Sequence, residues 1–225
     1  MHPALERPYE PLTPDNCALV LIDHQMGLML TTQSINLELL RRNTLGLAKV
    51  AKLFKLPTVV TSGGSRTPGR GFNGPLFPEL ADILPDAPVI ERTSLNAWLE
   101  PKVVAAVKAT GRRKLLMGGI STDICLTYAT VSAADAGYEV YFVADVSSTW
   151  DPRAEQTAWM RMAQRGVILT NWVSVPPRSK GTGRSGRRRP RNTSASSAST
   201  TRRSRGSVRR SWPTAASCTN RAEVC

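Results

Sequence analysis

No apolar run in this 225-residue chain approaches the roughly 18 residues that a membrane-spanning helix requires, so no membrane partner is expected. The first fifteen residues lack a basic n-region and an apolar h-region. They are polar and rich in proline, which argues against a secretory signal and for a cytoplasmic location. Cysteine is scarce: Cys17, Cys125, Cys218 and Cys225 form no CxxC pair and no zinc-like spacing. Without secretion, a disulfide framework is not expected either.

Acids are nearly missing from one end. Residues 176–225 carry 13 Lys and Arg against a single acid, Glu223, so they hold +12 of the net charge of +13. The remaining 17 bases and 16 acids leave residues 1–175 close to neutral, at +1. The tail also has almost no aliphatic residues and no periodicity. It cannot bury enough apolar surface to offset chain entropy, and disorder is expected. Two readings stay open for it. One is a basic arm that binds nucleic acid or another anionic surface. The other, favoured by the abrupt switch immediately after a strand, is an out-of-frame translation of a GC-rich gene. Nucleic acid is therefore a partner only if the tail is genuine. The chain divides into a domain over 1–175 and this tail over 176–225.

What the first 175 residues do contain is an alternation of short apolar runs and longer amphipathic ones. Strands are predicted at 17–22 (CALVLI), 56–61 (LPTVVT), 88–90, 114–117 (KLLM), 139–144 (EVYFVA) and 167–170. Helices are predicted at 34–55, 101–110, 122–136 and 151–164, the last with Asp151 and Pro152 suited to its N-cap and first turn. The Gly- and Pro-rich segment 62–78 reads as a loop. Strands apolar throughout, each leading to a helix, indicate a mostly parallel sheet covered on both faces. The fold class is α/β, a three-layer α/β/α doubly wound sandwich with six strands. Such sheets carry their sites past the C-terminal ends of the strands.

Three residues stand at such ends. Asp23 follows the first strand, where a carboxylate is costly unless satisfied; it serves chemistry or caps the next segment. Arg92 follows the third strand, either to steady an anion or as a surface residue paired with Glu91. Cys125 follows the fourth strand in MGGISTDIC, with Gly118 and Gly119 expected to let the chain turn sharply. It falls in the first turn of a helix, whose free N–H groups and partial positive charge would lower a thiol pKa and form an oxyanion hole. The alternative is a buried structural cysteine. Together, a carboxylate, a cation and a thiol make a nucleophilic site. Gln25, Phe72, Asn96 and Trp98 are candidates for the substrate pocket. Core packing is an equal alternative for Trp98, and an ordinary loop for the segment that carries Phe72. His24 reads as a packed or exposed bystander.

The segments ALVLIDHQMGL, LPTVVTS and GGISTDICLTYATVSAADAGYEVYFVADVSS, with their spacing, resemble the isochorismatase-like hydrolase family, and most closely its YcaC-related branch of cysteine hydrolases. The resemblance runs from about Asp15 to Trp172. It implies the three-layer fold, a homo-oligomeric assembly and an Asp–Lys–Cys triad acting on a small molecule. Asp23 matches the acid and Cys125 the nucleophile. Arg92 stands where the family has lysine, and an arginine keeps its charge but does not shuttle protons. The resemblance also implies a cis peptide at Ile120–Ser121 and oxyanion-hole donors at the backbone N–H groups of Ser121 and Cys125. Nicotinamidases of this family bind a metal through an Asp-x-His motif and a further His. His2 and His24 fit no such motif, so no metal or other cofactor is expected. The presence of Cys125 points to hydrolysis of an amide-like C–N bond through a thioester-type intermediate.

Overall fold

The structure, a computed structural model, describes residues 10–64 and 71–175. The basic tail and its predicted disorder lie outside the described residues. Six strands form one sheet in the order β3-β2-β1-β4-β5-β6: β1 (Cys17–Ile22), β2 (Thr58–Gly63), β3 (Val89–Arg92), β4 (Lys114–Gly119), β5 (Glu139–Val143) and β6 (Ile168–Thr170). Every neighbouring pair is parallel. The four inner strands have almost no exposed residue, as uniformly apolar strands in a doubly covered sheet must.

The helices are α1 (Met26–Thr31), α2 (Leu37–Leu53), α3 (Pro78–Ile83), α4 (Pro101–Ala109), α5 (Thr127–Asp135) and α6 (Pro152–Gln164). Alternate residues of β1 divide between two cores. Leu19 and Leu21 pack with Leu40 and Leu47 of α2, whereas Val20 and Ile22 pack with Val103 and Val107 of α4 and Ala129 and Ala133 of α5. These are the two faces of the sandwich. As predicted, Asp151 caps α6, its side chain accepting from Arg153 N at 2.6 Å.

Three local expectations are corrected. The segment 62–78 is not all loop, because α3 begins at its end and β2 runs on to Gly63. β3 ends on Arg92 rather than before it. Gly118 and Gly119 do not make the turn; they finish β4 in extended form. Their lack of a side chain answers close packing instead. A Cβ on Gly118 would lie 2.4 Å from Val146 Cγ2, and one on Gly119 2.8 Å from the Ile22 carbonyl oxygen. The chain turns just afterwards, where the Ile120–Ser121 peptide is cis, into a five-residue π-turn, Thr122–Leu126, that leads to α5.

Candidate active site

The strand order reverses direction between β1 and β4, whose following connections leave on opposite faces. A crevice is expected at such a switch point, and Asp23 and Cys125 flank it. Asp23 directly follows β1 with a φ of 56°, a left-handed conformation that aspartate tolerates better than most residues. A tight turn, Gln25 N to Asp23 O at 2.7 Å, sends the chain into α1. The Asp23 carboxylate is buried. Thr61 Oγ1 donates to its Oδ1 at 2.8 Å, and the Arg92 guanidinium pairs with Oδ2. The guanidinium, also buried, donates to the Ser94 carbonyl as well. Arg92 is thus neither exposed nor a bystander to Glu91. A cleft of about 330 Å³ lined by Gly64, Glu91, Arg92, Thr93 and Glu100 opens beside it.

Cys125 sits half-buried in the π-turn. The Asp23 carboxylate and the Arg92 guanidinium both come close enough to act on its thiol, so the three side chains meet. Burial pushes the thiol pKa up, and the neighbouring Asp23 charge pushes it further, while Arg92 pulls it down. The net shift is upward. A helix terminus alone would shift the thiol the other way, but desolvation and an adjacent carboxylate outweigh a partial charge at the turn. Burial likewise raises the Asp23 carboxyl, against the charge of Arg92 and the hydrogen bonds from Thr61, Cys125 and Arg92. Both groups of the resting site thus hold a proton more tightly than they would in water.

Within the turn, Thr122 N donates to Ser148 O at 3.0 Å and Leu126 N to Ser121 O at 3.1 Å.

The pocket candidates divide. Gln25 is buried and spends both ends of its amide on backbone, with Gly63 N at 2.8 Å and Gly74 O at 2.5 Å; it is a strut between β2 and the strap 71–77. Asn96 is similarly occupied, accepting from Trp98 N and donating to Ser132 Oγ, each at 3.0 Å. Trp98 stacks edge-on to Tyr138, 5.4 Å between centroids, and lines a cavity of about 460 Å³ with Gly111 and Gly137. Those glycines precede β4 and β5, so this cavity lies at the opposite end of the sheet from Asp23. Phe72 is 67% exposed, on a strap whose carbonyls at Asn73 and Pro75 accept from Gly27 N (3.0 Å) and Met26 N (2.9 Å).

His24 is fully buried. Its Nε2–H donates to Val146 O at 2.9 Å, and burial lowers its pKa to about 4, so the ring is neutral. Among the described residues, no group of three or more His, Cys, Asp or Glu side chains is placed to hold a metal ion, and no helix is long and apolar enough to cross a membrane. Sequence reasoning missed Thr61. Its signal is its register opposite Ile22, which places it at the strand end beside Asp23.

Comparison with known proteins agrees with the fold. The family model for the Isochorismatase domain matches residues 17–174. The probable hydrolase YcaC of Escherichia coli K12 is 37% identical over 172 residues, 76% of this chain and 81% of that protein. Its crystal structure, described as an octameric hydrolase of unknown specificity, superposes with a TM-score of 0.72 at 39% identity, covering 76% of this chain and 82% of that one. YcaC from Pseudomonas aeruginosa, solved with hexane-2,5-diol and covalent acrylamide, gives a TM-score of 0.72 at 38% identity, with coverage of 76% and 83%.

Proposed function

This chain belongs to the isochorismatase-like hydrolase family, and from that premise we propose that it hydrolyses a small amide-like substrate with Cys125 as nucleophile. The observation that carries the reading is the meeting of thiol, carboxylate and guanidinium at the switch point of the sheet. As Sγ bonds to the substrate carbonyl carbon, the thiol proton passes to Asp23. The developing oxyanion is held by the N–H groups of Ser121 and Cys125. Collapse breaks the C–N bond, Asp23 returns the proton to the leaving amine, and a thioester remains on Cys125. Asp23 then deprotonates a water that attacks the thioester, and the thiolate leaves and is reprotonated.

Arg92 keeps the Asp23 carboxylate aimed and balances its charge, a task that asks nothing of its own proton. Buried beside an arginine, Asp23 is the single proton carrier in this scheme, where the family pattern has both aspartate and lysine. Acrylamide is an electrophile to which thiolates add, so its covalent presence in the Pseudomonas relative supports a reactive nucleophile in this branch. The octameric state of the E. coli relative supports a homo-oligomer here too, and a cytoplasmic location remains part of the same proposal.

The test is acylation by p-nitrophenyl acetate, followed as a burst of p-nitrophenol and by mass of the peptide carrying Cys125. A burst of about one per chain is expected, with the acetyl group on Cys125. Cys125→Ala should abolish it, and Asp23→Asn should slow it by roughly 100-fold or more, the range of general-base assistance. Acetylation no faster than that of the urea-unfolded chain would overturn the reading.

A further inference from the structure

Glu155 is an anomaly outside the triad. It occupies the core-facing stripe of α6 with Ala158 and Met162, and only 7% of it is exposed. A carboxylate in such a stripe is costly without a compensating partner. Among the described residues no cation pairs with it. Two hydroxyls face its carboxylate instead: Thr122 Oγ1 donates to it at 3.2 Å, and the Ser34 hydroxyl lies close enough to act on it.

Both donors lead to the nucleophile. Thr122 opens the π-turn that carries Cys125, and each polar atom of Thr122 is held: N by Ser148 O at 3.0 Å, Oγ1 by Glu155, O by Thr127 Oγ1 at 2.6 Å. Ser34 precedes α2 and ties the same turn from the other side. Its hydroxyl lies 3.0 Å from Ser148 Oγ and accepts from Thr149 N at 2.9 Å, and Thr149 Oγ1 donates to Asp123 Oδ1 at 2.6 Å. Thr122 and Asp123 are thus clamped from below, three and two residues ahead of Cys125.

We propose that Glu155 is a positioning residue for the reaction. Its carboxylate is the acceptor that anchors Thr122 and Ser34, and so fixes the turn that aims the Cys125 thiol at the carbonyl and the turn's N–H groups at the oxyanion. The inference rests on the reading of Cys125 as nucleophile. A shift of about 1 Å in such a turn is enough to slow a reaction on the order of 100-fold. That gives a carboxylate which burdens the core a functional reason to be there.

The experiment compares the acylation rate at Cys125 by p-nitrophenyl acetate in the full-length wild type, Glu155→Gln, Glu155→Met and Thr122→Val, each checked for folding by circular dichroism. Glutamine keeps an acceptor oxygen at the same length; methionine keeps the length and removes the acceptor. Glu155→Met is expected to acylate roughly tenfold more slowly or worse, and Glu155→Gln within about threefold of wild type. Thr122→Val removes the donor side of the same bond without touching Glu155. It should match the methionine variant, and it carries the test alone if that variant does not fold. Wild-type acylation with unchanged rates in Glu155→Met or Thr122→Val overturns this inference and leaves Cys125 as nucleophile. Glu155→Gln as slow as Glu155→Met also overturns it, because an acceptor alone would then not suffice. Failure of the wild type to acylate overturns both.

Discussion

Burial raises the proton affinity of Asp23 and of Cys125 together. This arrangement makes an unusual prediction for Asp23→Asn. Removing the carboxylate takes away a charge that raises the thiol and leaves the one that lowers it. The midpoint of the pH profile for iodoacetamide alkylation at Cys125 should therefore move down, while ester acylation slows for want of a base. An unmoved midpoint would mean that the two groups are not coupled. His24 gives a second prediction, in stability. Its folded pKa, about 4, lies below the ordinary 6.5. Between those values the unfolded chain binds a proton that the folded one refuses. Stability from this source is complete above pH 6.5 and lost as pH falls toward 4, by roughly 3 kcal/mol over the full interval. His24→Gln keeps a donor for Val146 O and should remove this part of the slope. Urea denaturation at about pH 7 and about pH 4.5 would show it; equal losses in both proteins would assign the slope to other groups.

At the scale of elements, the site depends on how closely two strand ends approach. β1 and β4 run side by side to Ile22 and Gly119, and the residues just beyond them lead to Asp23 and Cys125. Gly119→Ala would press a methyl against the Ile22 carbonyl, since even an ideal Cβ lies 2.8 Å away. Overpacking of this kind costs about 1–3 kcal/mol, and the displaced strand end should slow acylation too. A variant as stable as wild type by urea denaturation would show that the strands can part without penalty. The long elements were legible in the sequence because their periodicity repeats. The six-residue helices α1 and α3 were not, since a run under two turns shows no repeat. The π-turn was read as ordinary helix because its composition has nothing to mark it.

At the scale of the whole molecule, charge and chemistry are separable. The described domain ends in a latch. Trp172 lies on α2 near Gly46, its Nε1 donating to Asn43 Oδ1 at 3.0 Å and its backbone N to Asp145 Oδ1 at 2.8 Å. Truncation after Val175 leaves that latch in place and removes 13 basic residues. The truncated protein should acylate Cys125 at the full-length rate, and any retention of the full chain on DNA at low salt should vanish with the tail. Retention that survives truncation would place the polyanion contact on the domain, whose net charge is only +1.

The sequence by itself determined the layered α/β architecture, because six apolar runs can be buried only between two layers of helix. It also singled out Cys125 and Asp23, through motifs beside strand ends, as the candidate nucleophile and acid, and it determined the concentration of charge in the tail. Only the tertiary structure decided that Arg92, 69 positions from Asp23, is its buried partner rather than a surface cation. It also decided the sign of the shift at Cys125, and that Gln25 and Asn96 are struts while Trp98 belongs to the far end of the sheet. The physical reason is the same in each case. Desolvation, Coulomb energy and hydrogen-bond satisfaction depend on which groups are neighbours in space, and spacing along a chain does not contain that distance.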